Sequence, residues 1–300
     1  MTALGRLAMA VVRRVPPLEY WWNQQRAARD ARLLDPDCSD KPPVLVYQMA
    51  KVGSSTVARS LQQADPEQAV LHVHFLSPEM LCGAGARHVR SKGYFGLPYD
   101  WHLGRALGER IEKLDRALQV QVVTLVRDPI AREVSGLFQN PEFASTELRD
   151  RHGRYDVERT VEFLENALCA ADACDYVHNW FDRELRKTFG IDVFAAPFQK
   201  ERGWTLLCNE RARVLVLRME DLDRTLGPAL VEFLGLDEEP KTASQNVRSE
   251  RPEGSDYREV VAALRLPHRV CERIYSHRFS RHFYSDAMLA DFSQRWSATS

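Results

Sequence analysis

The sequence predicts an α/β fold: a mostly parallel five-stranded sheet flanked by helices. Three observations predict it. Apolar runs of strand length recur along the 300-residue chain, helical patterns alternate with them, and two strand-to-helix turns carry groups suited to holding an anion. Nearly continuous apolar runs are what parallel strands need when both faces are covered.

The first apolar stretch, Leu7 to Val12, lies between Arg6 and Arg13-Arg14. It is too short to span a bilayer, which takes about 20 residues, and no small-residue cleavage site follows it. It can rest on a membrane surface or dock on the domain. Pro16-Pro17 end it, and an Arg- and Ala-rich helix is predicted from Leu18 to Leu34. Asp35-Pro36-Asp37 and Pro42-Pro43 bracket a loop. Residues 1–42 are thus expected as a helical arm, and 43–300 as one α/β domain with a helical tail. Strands are predicted at Val44 to Met49, Ala69 to Phe75, Val120 to Val126, Asp192 to Phe198 and Arg213 to Met219. Helices are predicted at Ser55 to Gln63, Leu103 to Leu118, Pro129 to Gln139, Val157 to Phe189 and Leu222 to Leu234, the last stopped by Gly235. Residues 237–256 are polar and loop-like, and the tail from Tyr257 reads as helical.

A formal net charge of −1 gives no case for nucleic-acid binding, so any anion site must be local. The six cysteines are irregularly spaced, without C-x-x-C, and read as reduced thiols of a cytoplasmic protein. The histidines do not stand at ligand spacing around any cysteine pair, so no metal site is expected. Peripheral contact with the inner membrane face would come through the N-terminal segment.

The first anion-binding turn is Lys51-Val52-Gly53-Ser54-Ser55-Thr56. Gly53 lets the backbone approach a phosphate, the following helix offers unpaired N–H groups, and the hydroxyls and Lys51 add donors and charge. It is not a Walker A motif, because Lys51 precedes the only glycine. A plain helix N-cap would use the same residues. The second turn is Arg127-Asp128-Pro129, with Ser135 eight residues beyond Arg127. Asp128 suits the N-cap and Pro129 the first helical position. Arg132 and Ser135 share a helix face. Arg127 offers a forked donor for a phosphate, or for a carboxylate within the fold.

These two turns resemble the two motifs by which sulfotransferases hold 3′-phosphoadenosine 5′-phosphosulfate (PAPS). More closely, the chain resembles a bacterial family of capsular polysaccharide synthesis proteins. The likeness runs through Gln48-Met49-Ala50-Lys51-Val52-Gly53-Ser54-Ser55, His72-Val73-His74-Phe75-Leu76, Trp180-Phe181-Asp182, Gly190-Ile191-Asp192-Val193-Phe194 and His282-Phe283-Tyr284-Ser285. Ala50 departs from the glycine that family often carries there. The resemblance implies a P-loop-like sulfotransferase fold, with a five-stranded parallel sheet and PAPS across its carboxyl edge. Lys51, Val52, Gly53, Ser54, Ser55 and Thr56 would cradle the 5′-phosphosulfate, with Lys51 assisting the leaving phosphate. Arg127 and Ser135 would hold the 3′-phosphate. The acceptor would be a hydroxyl of a glycan or glycolipid, and no metal would be required.

Sulfo transfer needs a base, and a histidine of near-neutral pKa suits the task. His72 and His74 are two apart on a predicted strand and so share a face. The His-x-His tract resembles that of uronyl 2-O-sulfotransferases, which use a histidine base. His74, nearer the carboxyl end, is the first candidate and His72 the second. Glu79, Asp182 and Glu184 stand in reserve. Two ordinary strand histidines would fit the pattern equally well. Lys200, Arg202, Arg248 and Arg251 read as turn charges that could also reach an anion. Trp101, Trp180 and Trp204 read as core residues or stacking surfaces. The rival functions are a nucleotide-dependent, kinase-like phosphotransferase and a non-catalytic nucleotide- or polysaccharide-binding module. The missing Walker A lysine and the lack of a clear Mg²⁺-binding aspartate speak against the first.

Overall fold

A computed structural model describes residues 15–38, 41–92, 94–114, 119–138, 146–240 and 253–298. The expected apolar stretch at Leu7 to Val12 lies outside them, as do Arg248 and Arg251. The described chain is α/β, with a five-stranded sheet flanked by helices in the order β2-β1-β3-β5-β4. The strands are β1 Val44–Tyr47, β2 Val70–Val73, β3 Val120–Val126, β4 Trp204–Cys208 and β5 Ala212–Arg218. Pairings among β2, β1, β3 and β5 are parallel, while β4 runs antiparallel to β5. The sheet is therefore mixed, not the wholly parallel sheet that the resemblance implied.

Burial explains which strands sit centrally. Every residue of β1 is buried, and so is all of β3 except Gln121. Such strands gain most where helices cover both faces. Helix α1 is Pro16–Ala31, with Pro16 at its start, where a missing N–H costs nothing. It packs Ala27 and Ala31 inward. The other helices are α2 Ser54–Ala64, α3 Pro78–Lys92, α4 Tyr99–Ile111, α5 Pro129–Leu137, α6 Val157–Cys169, α7 Asp175–Phe181, α8 Leu222–Leu234, α9 Glu253–Ala263, α10 His268–Ser276, α11 Arg278–Phe283 and α12 Asp286–Trp296. Helix α7 continues through a π-helical turn, Asp182–Arg186, to Lys187–Phe189.

Three expectations need correction. Asp192 to Phe198 is not a strand. Asp192 Oδ1 accepts the Phe194 N–H at 2.9 Å, and the Ala195 N–H bonds the Asp192 carbonyl at 3.2 Å, so local turns take the groups a ladder would need. The fifth strand is β4, joined to β5 by a hairpin in which Asn209 Oδ1 accepts the N–H groups of Arg211 and Ala212. The single helix expected from Val157 to Phe189 is broken by a turn at Ala170, and Cys174 takes φ 65° there. Helix α3 was not expected at all.

The tail closes the carboxyl edge of the sheet. Asp128 caps α5 through the Ile130 N–H at 3.1 Å. It also accepts Tyr275 Oη from α10 and Trp296 Nε1 from α12, each at 2.9 Å. Arg218, buried at the end of β5, donates to the carbonyls of Phe283 at 2.8 Å and Lys200 at 2.7 Å.

Candidate functional site

The chain leaves β1 toward β2 on one side, and β3 then lies on the other side of β1. That is a topological switch point, where open α/β sheets hold ligands beyond the carboxyl ends of their strands. The turn Lys51–Thr56 sits there. Lys51 has φ 74° and Gly53 φ 91°, so the chain enters α2 through left-handed backbone. Gly53 accommodates this at no steric cost, whereas Lys51 is strained there. Ser54 and Thr56 are half-buried, Ser55 is exposed, and Val52 is wholly buried, leaving only its backbone for binding.

The second turn grips the first. Arg127 Nη1 donates to the Lys51 carbonyl at 2.9 Å, and its Nη2 lies 3.5 Å from Tyr257 Oη. Arg132 Nε donates to the Ala50 carbonyl at 3.1 Å, while its guanidinium stacks 4.5 Å over Tyr176. Tyr176 Oη lies 3.4 Å from the Ala50 N–H. Arg127 thus holds a carbonyl of the cradle and Arg132 that of the residue before it, and Arg127 keeps further N–H donors for an anion. Ser135 is fully buried on α5, unlike the partly exposed arginines.

On the other side of β1, register fixes the histidines. Tyr47 pairs with Val73, so His74 falls just past β2, level with Gln48. Its Nδ1 lies 3.0 Å from the Gln48 carbonyl. A carbonyl only accepts, so Nδ1 carries the proton and Nε2 is left as the basic nitrogen. Burial pushes the His74 pKa down, the Gln48 bond and Asp100 pull it back, and Lys51 and Arg132 push it further down. His74 therefore lies within electrostatic reach of the cradle. His72, its ring 4.8 Å from that of His74, has its Nε2 3.4 Å from the Gln48 side-chain amide. Burial, then the neighbouring His74, lowers its pKa to about 3. Gln48 Oε1 is buried without a partner.

The reserve carboxylates are committed elsewhere. Glu79 pairs with Lys187 on the surface. Asp182 pairs with Arg278 and Arg186. Glu184 is buried and accepts Tyr47 Oη, the N–H groups of Leu76 at 2.8 Å and Ser77 at 3.0 Å, and Ser77 Oγ at 2.8 Å. It clamps the segment that follows the histidines. Arg202 stacks on Trp204 and pairs with Glu232, as a turn charge does. Trp180 is core, and its Nε1 donates to the His74 carbonyl at 3.3 Å.

Sequence reasoning missed Tyr176, Tyr257 and Glu220. Glu220 follows β5, level with Asp128 beyond β3, and its Oε1 accepts the Asp128 N–H at 2.7 Å. Solvent reaches this side chain, yet packing around it pushes the carboxyl up to about 7. An acid two residues past β5 could have flagged Glu220. The two tyrosines carry no local signal. Among the described residues, no group of three or more His, Cys, Asp and Glu side chains could hold a metal ion.

No curated protein and no solved structure matches the chain. A family model described as "Putative capsular polysaccharide synthesis protein" matches residues 153–285, less than half the chain; the match takes in Tyr176, Glu184, Glu220 and Tyr257 and leaves out the cradle, both histidines and Arg127.

Proposed function

We propose that the protein is a sulfotransferase that moves a sulfo group from PAPS to a hydroxyl of a glycan or glycolipid in surface-polysaccharide synthesis. The observation that carries this reading is the meeting of two cationic, donor-rich turns at the switch point, with Arg127 Nη1 2.9 Å from the Lys51 carbonyl. Adjacent anion sites suit a nucleotide with anionic groups at both its 3′ and 5′ positions. The left-handed backbone at Lys51 and Gly53 fits a close phosphate approach. The description of the matched family supports the polysaccharide part.

When bound, PAPS supplies an activated sulfo group on a phosphate leaving group. Lys51 and the first N–H groups of α2 would neutralise charge building on the leaving oxygens. Gly53, Ser54, Ser55 and Thr56 would complete the cradle, with Val52 contributing backbone. Arg127 would hold the 3′-phosphate, whereas Ser135, wholly buried on α5, presents no surface to it. His74 Nε2 would take the acceptor hydroxyl's proton as the new O–S bond forms. The S–O bond to phosphate breaks with its electron pair leaving on the phosphate. The scheme uses no metal ion.

The test is transfer of labelled sulfate from PAPS to a panel of capsular and glycolipid acceptors. Labelled product with the native protein, and little with Lys51→Ala, supports the reading. Absence of transfer, together with magnesium-dependent phosphate transfer from ATP, would replace it with the kinase reading.

A further inference from the structure

Among the described residues, seven large hydrophobic side chains are exposed, and four of them, Val15, Leu18, Trp21 and Trp22, lie within eight residues of one another. Trp21 is 57% and Trp22 42% exposed. All four belong to α1 or the residue before it. Scattered exposed apolar residues need no explanation, but a clustered aromatic patch marks an interaction surface. Tryptophan is also costly to leave in water and is enriched where an apolar phase meets a polar one.

Helix α1 presents this patch from a fixed base. Its inner face is committed: Ala27 and Ala31 are buried, Tyr99 Oη donates to Asp30 at 2.6 Å, and Tyr20 packs edge-on against His102 at 4.7 Å. The outer face starts aromatic and turns basic, since Arg26, Arg29 and Arg32 are also exposed. Charge follows the same segment. Residues 1–34 hold six arginines, Arg6, Arg13, Arg14, Arg26, Arg29 and Arg32, against two acids, Glu19 and Asp30, in a chain of net charge −1. The fourteen residues preceding the patch include the apolar run Leu7 to Val12 and end in Arg13-Arg14 beside Val15. No described helix is long and apolar enough to cross a membrane. Aromatic residues flanked by cations, on a chain segment too short to span, are the pattern of a surface that lies in a lipid headgroup layer.

We infer that the outer face of α1 docks the protein on an anionic lipid bilayer, Trp21 and Trp22 entering the interface and Arg26, Arg29 and Arg32 meeting the headgroups. This inference does not depend on the sulfo-transfer reading. Its consequence is that a membrane-tethered acceptor would be met at the bilayer surface.

The experiment is flotation of the full chain with vesicles of phosphatidylcholine alone and of phosphatidylcholine mixed with phosphatidylglycerol. The native protein is expected to float with the mixed vesicles and to be released by salt. Trp21→Ser/Trp22→Ser should weaken that partition by about tenfold or more, the scale of an apolar side chain withdrawn from an apolar phase. Because both side chains are exposed, its melting temperature should match that of the native protein. Acrylamide quenching of tryptophan emission should drop on adding mixed vesicles to the native protein and not to the variant. Three results would overturn the inference: no binding to mixed vesicles; equal binding by the double variant; or a dimer formed without lipid that the double variant abolishes. Strong protection of Trp21 and Trp22 from acrylamide before any lipid is added, relieved by deleting residues 1–14, would also overturn it by assigning the patch to that segment.

Discussion

At the residue scale two nitrogen atoms carry the proposed chemistry. His74 has its Nδ1 proton fixed on the Gln48 carbonyl, so its Nε2 is a preset acceptor. His74→Ala is expected to lower kcat by about 10²–10⁴-fold, the range for a general base, while the desulfated product PAP still binds. His72→Ala should do less, because His72 stands a step further back along β2. The pH profile has a definite sign. Burial depresses the His74 pKa, and the cations Lys51 and Arg132 add to the depression. The imidazole therefore stays neutral, and able to take a proton, to a pH lower than free histidine allows. The acid limb of kcat should lie below 6.5. A limb at or above 6.5 would remove His74 from the role. The second atom is Lys51 Nζ. If its charge acts on the departing phosphate, Lys51→Ala should depress kcat far more than it raises the KM for PAPS. A change in KM alone would make Lys51 an anchor.

At the scale of elements, two carboxylates hold the strand ends in place. Glu184 gathers four donors around the exit from β2. Glu184→Ala leaves two buried N–H groups without partners, each worth about 1–3 kcal/mol, so chemical denaturation should show a loss of about 2–6 kcal/mol. Glu220 joins the exits of β3 and β5. Although solvent reaches it, desolvation by the atoms packed around it raises its pKa to about 7, above the unfolded value, so the folded state binds the extra proton. Its stabilising contribution is present at low pH and is lost as pH rises toward 7. Relative to native protein, Glu220→Gln should flatten the fall in Tm between about pH 4.5 and 7. Parallel curves for the two proteins would contradict this.

The same elements explain what could be read from sequence. β1, β3 and β5 are legible because strands covered on both faces must be continuously apolar. The turn Lys51–Thr56 is legible as a strand-to-helix junction because glycine and hydroxyl residues favour helix starts. β4 is not, since its burial fades from Trp204 to Cys208 toward the sheet edge. The stretch Asp192 to Phe198 misleads because its apolar residues fold into side-chain-capped turns. Helix α3 is hidden by Gly83 and Gly85, poor helix formers. Gly85 is needed there, because a Cβ would come within 2.9 Å of the Trp101 indole. Tyr176 and Tyr257 reach the cradle only through tertiary folding, 126 residues from Ala50 and 130 from Arg127, and no local pattern announces them.

At the scale of the whole molecule, strand order decides the site. Placing β1 between β2 and β3 brings the histidines to one side of the cradle and Arg127 to the other. The C-terminal helices then lock the β3–α5 turn through Asp128. The central claim is that this edge of the sheet binds a nucleotide with anionic groups at both its 3′ and 5′ positions. Calorimetric titration with PAP tests it most directly. The account predicts binding without magnesium, weakened in a folded Arg127→Ala variant by about 1.5–3 kcal/mol, the scale of a hydrogen bond to a charged group. Absence of PAP binding, binding unchanged by Arg127→Ala, or binding of ATP alone and only with magnesium would contradict it.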